Sequence, residues 1–284
     1  MSIWLQPEPQ NWWNIVDDAL MEDVGSGDLS GGAIPEDLVA RWHIEAQADG
    51  ILCGIGIADY LLAPYGQDAA DSLIEVHRQD SDFIRRGDIV ISGRLPARRI
   101  VMVERTALNL LMMMSGVATL TQNFVRKVEG TDVRIVDTRK TLPMLRPLQK
   151  YAVRCGGGHN HRMGLYDAVM LKDNHIAAAG SIRNAMAAVR SYVSHMTKIE
   201  VECETLEQVD DAVREGADVV LLDNMDPFVM REAVKKHKGS CLFEASGGID
   251  LDTVRGVAQT GVELISVGAL THSAPAFPFH LEVV

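Results

Sequence analysis

The chain has 284 residues and a formal net charge of −12, from 27 Lys+Arg against 39 Asp+Glu. Hydrophobic residues make up 47% and charged residues 23%, the balance of a folded soluble protein long enough for two domains or one large α/β domain. An acidic chain with 5% aromatic residues argues against nucleic acid and anionic membrane as partners, since both need a basic footprint and single strands also need stacking rings. Its apolar runs, such as Leu108–Met114, fall short of the roughly 20 residues of a membrane-spanning helix. The start, MSIWLQPEPQNWW, has no basic stretch followed by an apolar one, so no secretory signal is expected. Cys53, Cys155, Cys203 and Cys241 form no CxxC pair, which favours reduced, buried thiols in a cytoplasmic protein over a disulfide framework or a zinc site.

Taken in chain order, residues 9–22 read as a helix, followed by the glycine-rich turn EDVGSGDLSGG. Alternating stretches at Arg41–Ala48, Ser72–His77 and Asp88–Gly93 predict a small sheet, with IRRGD as the turn before the last. A helical stretch from about Val103 to Val128 is interrupted by Ser115-Gly116, where a break or a change of domain is expected. Beyond it, short apolar runs recur at Arg134–Val136, Ala168–Leu171, Ile199–Cys203, Val219–Leu222, Cys241–Glu244 and Leu264–Val267. Helical segments at 181–194, 206–215, 228–237 and 251–260 separate most of them. Thr205 with Gln208 forms a capping-box pattern, and Asp226-Pro227 an N-cap before a first-turn proline. Parallel strands joined by helices predict a barrel with fewer than eight full strands, with a doubly wound open sheet as the structural rival. The fold class is therefore α/β, with an N-terminal α/β domain over 1–114, which the tail 275–284 could rejoin, and a barrel domain over 115–274.

Each apolar run ends in polar or glycine residues: Asp137-Thr138-Arg139-Lys140, Lys172-Asp173-Asn174-His175, Glu202, Asp223-Asn224, Ser246-Gly247-Gly248 and Gly268. In a barrel these ends meet on one face, where active sites are built. Arg139 can grip a carboxylate or phosphate through two charge-assisted bonds, and Lys140 and Lys172 add compact positive charge. The glycines at 247 and 248 free backbone N–H groups to approach an anion at the start of the helix expected at 251–260. Glu202 and Asp223 suit Mg²⁺, sugar hydroxyls or a developing cation. The segment Arg154-Cys-Gly-Gly-Gly-His-Asn-His-Arg162 adds His161 and Arg162 as a second cationic pair. Residues 134–183 hold nine Lys/Arg against three acids, a local +6 that leaves −18 for the rest of the chain.

Simpler roles account for other residues. Arg134, Arg146, Lys150 and Arg183 suit surface or salt-bridge positions, and Arg154 could pair with Asp137 or Asp167. Met112–Met114 suit core or dimer-interface packing, and Cys155 and Cys203 suit small packed residues. The spacing of His159, His161 and His175 does not suit zinc.

The segments ERTALNLLMMMSGVATLT (104–121), DTRKTLPMLRPLQKYAVRCGGGHNHR (137–162), LYDAVMLKDNHI (165–176), LLDN (221–224), EASGG (244–248) and SVGALTHS (266–273) closely resemble the quinolinate phosphoribosyltransferase family. The resemblance runs from EDVGSGD at 22–28 to the end of the chain. It implies an N-terminal α/β sandwich-like domain and a barrel short of eight strands. It further implies conversion of quinolinate and phosphoribosyl diphosphate to nicotinate mononucleotide, diphosphate and CO₂, with Mg²⁺, in NAD biosynthesis. The site would be completed across a homodimer, with Arg105 reaching into the neighbouring one. Arg139, His161, Arg162 and Lys172 carry over to the quinolinate side, and Lys140 to the anionic groups of either substrate. Glu202 and Asp223 carry over to the ribose and metal region, binding Mg²⁺ directly or through water. Ser246, Gly247, Gly248, Gly268 and His272 match the 5′-phosphate side. Lys140, Lys172, Glu202 and Asp223 are thereby the catalytic candidates. His159, beside the cationic pair, is a polar choice that could tune it.

A Schiff-base barrel enzyme using Lys172 on a phosphorylated sugar explains the strand-end lysine but leaves Arg139 and His161-Arg162 idle. A relative acting on nicotinate would not need this surplus of cations. A non-catalytic phosphoribosyltransferase-like accessory protein is disfavoured by the intact DTRKT, NHR, KDNH and LDN segments.

Overall fold

The computed structural model describes residues 9–63 and 72–284; most of the segment read above for a secretory signal lies outside the described residues. Contacts group the chain into two units, each assembled from separate stretches: 1–122, 141–157 and 270–284 in one, 123–140 and 158–269 in the other.

The first unit carries an antiparallel sheet of β1 (Val39–Ala46), β3 (Leu73–Val76), β5 (Ile89–Pro96) and β12 (Phe279–Val283), in the order β12-β1-β5-β3. The tail thus returns as an edge strand of the N-terminal sheet. Alternation sets the register: Trp42, Ile44 and Ala46 on β1 are buried while their neighbours are not. A short pair, β2 (Gly50–Ile51) and β4 (Phe83–Ile84), lies in the same unit. So do α1 (Pro9–Val24), α2 (Ile55–Leu62), most of α3 (Ala97–Lys127) and α4 (Arg146–Cys155).

Ser115-Gly116 does not break α3, which runs through both residues unbroken. The two are contact residues instead. Ser115 Oγ accepts from Cys53 N at 3.0 Å and donates to Cys53 O at 3.1 Å. A Cβ at Gly116 would collide with the backbone carbonyl of Pro275, so only glycine allows the tail to approach. By length and composition α3 could cross a membrane, but its apolar residues, including Val103, Leu111, Met114 and Val117, are buried in the protein.

The second unit is a six-stranded parallel sheet. All six apolar runs are strands: β6 (Arg134–Val136), β7 (Val169–Leu171), β8 (Ile199–Cys203), β9 (Val219–Asp223), β10 (Leu242–Ser246) and β11 (Leu264–Ser266). The order is β6-β11-β10-β9-β8-β7. Every strand except β6 lies beside its sequence neighbour, and β6 lies beside β11. This is the cyclic order of a barrel with one open seam between β6 and β7; a doubly wound sheet would reverse its order at an internal strand. The structure therefore shows a partial α/β barrel.

Helices α5 (Asp173–Ala179), α6 (Ile182–Arg190), α7 (Leu206–Arg214), α8 (Pro227–His237) and α9 (Val254–Ala258) connect successive strands, and α10 (Ala269–His272) follows the last. The caps form as the sequence implies. Thr205 Oγ1 accepts from Gln208 N while Gln208 Oε1 accepts from Thr205 N, and Asp226 Oδ1 accepts from Phe228 N at 2.8 Å.

Register assigns the faces. Met170 pairs with Glu200, Glu202 with Leu221, and Leu221 with Glu244, which also pairs with Leu264. With a period of two, Glu200, Glu202, Asp223, Glu244 and Ser246 share one face of the sheet, and Lys172 follows Met170 by two residues. That face is concave. Glu200 and Glu244 stand on strands separated by β9, about 9.6 Å apart in a flat sheet. Yet both carboxylates reach His161 Nε2, at 2.9 and 3.7 Å.

Candidate active site

The site starts where β6 ends. Asp137 is fully buried; its Oδ1 accepts from His161 N at 2.9 Å and its Oδ2 from Asn160 Nδ2 at 2.6 Å. The main chain of His159 extends the same edge, donating to Ile135 O at 2.8 Å and accepting from Asp137 N at 3.1 Å. The His159 side chain is exposed. These bonds hold the segment whose glycines precede it, and they present His161 and Arg162 together.

The His161 ring sits between polar groups on both sides. Nε2 lies 2.9 Å from Glu200 Oε2, and Nδ1 accepts from Arg162 N at 2.7 Å. Glu244 is 1% exposed. Burial first, and the neighbouring Glu200 second, push its carboxyl up to about 8, so it keeps its proton at neutral pH. Arg162 donates from Nη1 to Ala168 O at 3.1 Å. Burial, and then the positive charge of Arg139, pull its pKa below the usual arginine value, so the two guanidinium groups act on one another. Arg139 is half-buried and Lys140 exposed, with the Lys140 N–H on Thr138 Oγ1 at 3.0 Å.

Lys172, at the end of β7, forms an ion pair with Glu202 at the end of β8. On β9, Asp223 Oδ2 accepts from Asn224 Nδ2 at 3.0 Å, while Asn224 adopts a left-handed φ of 52° and donates its N–H to Ser246 O at 2.9 Å. Gly247 has φ 95°, and a Cβ there would collide with the Asn224 side chain. The glycine is thus required by close packing of two strand ends as well as by its backbone conformation.

The helix start expected at 251 is different. Helix α9 is only Val254–Ala258, and Asp250 Oδ1 accepts from Asp252 N, Thr253 N and Thr253 Oγ1 at 2.8–3.0 Å. Those bonds, led by the one from Thr253 N–H, hold the Asp250 carboxyl below its ordinary range. A carboxylate therefore occupies the place expected for an anion, and the backbone left for a phosphate is that of Gly247 and Gly248. Gly268 is half-buried beyond β11. Arg105 and His272 belong to the first unit: Arg105 is exposed on α3, and His272 ends α10 with Nδ1 2.6 Å from Ser273 Oγ. Lys150, read as a surface or salt-bridge residue, is 1% exposed in α4.

The sequence reading named Asp137 only as a strand-end residue and a candidate partner of Arg154, and it passed over Glu200 and Glu244. Their signal was available: an acid at an inward position of a strand covered on both sides, as in IEVEC and LFEAS, is too costly to bury without a task. It also could not bring Cys53, Asp80 and Cys155 together, whose polar atoms lie within 4.8 Å of one another in the first unit. There Asp80 accepts from Gly54 N, Ile55 N and Tyr151 OH, and burial pushes the Cys53 thiol up. Such a thiol stays protonated and inert.

For the metal region, Glu202 and Asp223 are half-buried hard-oxygen donors on one face of neighbouring strands, a donor set that fits Mg²⁺.

Comparison with known proteins agrees with this geometry. Residues 23–115 match the family "Quinolinate phosphoribosyl transferase, N-terminal domain", and residues 117–282 its "C-terminal domain". A probable nicotinate-nucleotide pyrophosphorylase (carboxylating) of Bacillus subtilis is 41% identical over 263 residues, covering 93% of this chain and 90% of that protein. The nicotinate-nucleotide pyrophosphorylase (carboxylating) of Mycobacterium leprae is 40% identical over 271 residues, covering 93% and 94%. Among solved structures, that of the Ehrlichia chaffeensis nicotinate-nucleotide pyrophosphorylase aligns with a TM-score of 0.91 at 34% identity, over 96% of this chain and 98% of that one. With both domains matched in order and the relatives covered nearly end to end, the chain belongs to the quinolinate phosphoribosyltransferase family.

Proposed function

We propose that the protein transfers a phosphoribosyl group from phosphoribosyl diphosphate to quinolinate, with loss of CO₂, to give nicotinate mononucleotide for NAD biosynthesis. The observation that carries this is the meeting of two mutually repelling guanidinium groups, Arg139 and Arg162, with strand ends that bear a lysine and paired carboxylates. Two repelling cations are relieved by a dianion, and quinolinate carries two adjacent carboxylates.

Lys172 is engaged in an ion pair with Glu202, which suits an electrostatic contact better than the Schiff-base reading, where the amine must be a free nucleophile. As the C–O bond to diphosphate breaks and the pyridine nitrogen bonds to the anomeric carbon, positive charge grows on the ribose. Glu202 and Asp223 face that charge as fixed carboxylates. The resulting pyridinium takes up the electron pair of the breaking carbon–carboxylate bond; CO₂ leaves, and the ring carbon takes a proton from water. Mg²⁺ held by Glu202 and Asp223, directly or through water, would neutralise charge on the leaving diphosphate. Lys140, Ser246, Gly247, Gly248, Gly268 and His272 are assigned to the phosphate groups. Four free thiols and the acidic balance suit the cytoplasm.

Incubation with quinolinate, phosphoribosyl diphosphate and Mg²⁺ should release CO₂ and nicotinate mononucleotide in equal amounts. Tight binding of both substrates without turnover would refute the enzyme reading. A homodimer sharing residues is supported by Arg105, which is exposed and makes no hydrogen bond or ion pair among the described residues. Mixed dimers of Arg105→Ala and Lys172→Ala chains should regain about a quarter to a half of native activity through one intact site. Verified mixed dimers with no activity would exclude sharing.

A further inference from the structure

His161, Glu200 and Glu244 place one donor atom each within 4.8 Å of one another, the pattern of a metal-binding triad. The ring nitrogens argue otherwise. Nδ1 lies 2.7 Å from the backbone nitrogen of Arg162, and a backbone N–H can only donate. Nδ1 is therefore unprotonated, the ring proton sits on Nε2, and that nitrogen has no lone pair for a cation. What it has is a hydrogen bond to Glu200 Oε2 at 2.9 Å, with Glu244 Oε1 behind at 3.7 Å.

We propose that Glu200, backed by Glu244, is a positioning residue for the quinolinate side of the site: it holds His161 as a neutral ring and thereby fixes the backbone from which Arg162 faces Arg139. The proposal rests on the reading of the site as a quinolinate site. Three contacts define the linkage. Asp137 holds the His161 N–H, Glu200 holds its ring, and the ring holds the Arg162 N–H. Arg162 is then oriented at both ends, since its Nη1 is tied to Ala168 O. His161 brings no formal charge in this state, so the cations that meet the dicarboxylate are Arg139, Arg162 and Lys172. Burial, and after it the proximity of Glu200, keep the Glu244 carboxyl pKa raised, so a proton-bearing side chain backs the Glu200–His161 contact.

Two measurements on the full-length protein test this, one independent of turnover. In ¹⁵N-histidine spectra at neutral pH, with His161 assigned by its loss in a His161→Asn variant, the ring should show the Nε2–H neutral tautomer. A doubly protonated ring or the Nδ1–H tautomer overturns the proposal even if the enzyme turns over quinolinate as expected. In kinetics, Glu200→Ala should raise KM for quinolinate about 100-fold while changing KM for phosphoribosyl diphosphate less than about threefold. Glu200→Gln, whose carbonyl still accepts from Nε2–H, should recover most of the loss. Equal effects on both KM values, no effect, or no recovery with glutamine would overturn it. If Glu200→Ala does not fold, the tautomer of the native chain and the kinetics of Glu200→Gln still decide.

Discussion

The two ends of the parallel sheet are built from the same strands and differ in how their charges are met. At the end where the strands begin, Lys198 Nζ lies 2.6 Å from Asp218 Oδ1, Asp218 Oδ2 accepts from Ile199 N at 3.0 Å, and Glu263 Oε2 accepts from Phe243 N at 2.8 Å. Between the two ends, Glu200 and Glu244 each keep a buried carboxyl oxygen with no hydrogen bond among the described residues, and beyond the strand ends Arg139 and Arg162 lie close enough to act on one another. A depression of about 540 Å³, lined by Lys198, Asp218, Cys241 and Glu263, lies at the satisfied end. The finishing end instead gathers the cations Arg139, Arg162 and Lys172, the kind of end on which barrels build their sites.

The contrast is broken most strongly by removing one cation from each end. Lys172→Ala should lower kcat/KM about a thousandfold, roughly 4 kcal/mol of transition-state stabilisation, whereas Lys198→Ala should leave it within about twofold. Steady-state CO₂ release measures both, and comparable losses would erase the distinction. Next in size, Gly247→Ala forces a Cβ against Asn224 at a positive φ. It should raise KM for phosphoribosyl diphosphate roughly 10- to 100-fold and lower Tm by a few degrees, with KM for quinolinate little changed.

The smallest effect is on stability against pH, with opposite signs for Glu244 inside the sheet and Asp218 where the strands begin. Glu244 has a folded pKa raised to about 8, so its stability contribution is complete in acid and is lost as pH rises from about 4.5 through 8. Glu244→Gln should therefore gain Tm relative to the native chain between pH 5 and 9, by about 5 °C. Asp218 behaves in reverse. Burial opposes its ionisation, but Lys198 and the Ile199 N–H outweigh burial and hold its carboxyl below the usual range. Its contribution is present at neutral pH and is lost as pH falls, so the Tm deficit of Asp218→Asn should shrink from pH 6 to pH 4. Thermal melts across this range that show one common trend for both variants would contradict the contrast.

The strands of the barrel were legible because parallel strands covered on both faces are continuous apolar runs, and each polar residue that stops a run marks a strand end. The same rule hid Glu200 and Glu244, which sit inside their runs at inward positions. Ser115-Gly116 looked like punctuation because the partners that need a hydroxyl and a missing Cβ, Cys53 and Pro275, are far away in sequence. The 251–260 helix was overextended because Asp250 and Thr253 close the turn among themselves and delay the first helical residue to 254. Helix α4 carries no sequence signal that it belongs with the N-terminal sheet, since that grouping is decided by contacts remote in the chain.

The chain leaves the barrel unit after Lys140 and re-enters it at Gly158. Arg139 and Lys140 are its last residues before that departure, and His161 and Arg162 come within a few positions of the return. Any fragment that isolates the barrel by cutting at the unit boundaries severs the polypeptide between Arg139-Lys140 and His161-Arg162. The halves of this enzyme are accordingly not interchangeable cassettes: a domain swap, a truncation or a recombination event respecting the unit borders would divide the residues proposed to hold the substrate.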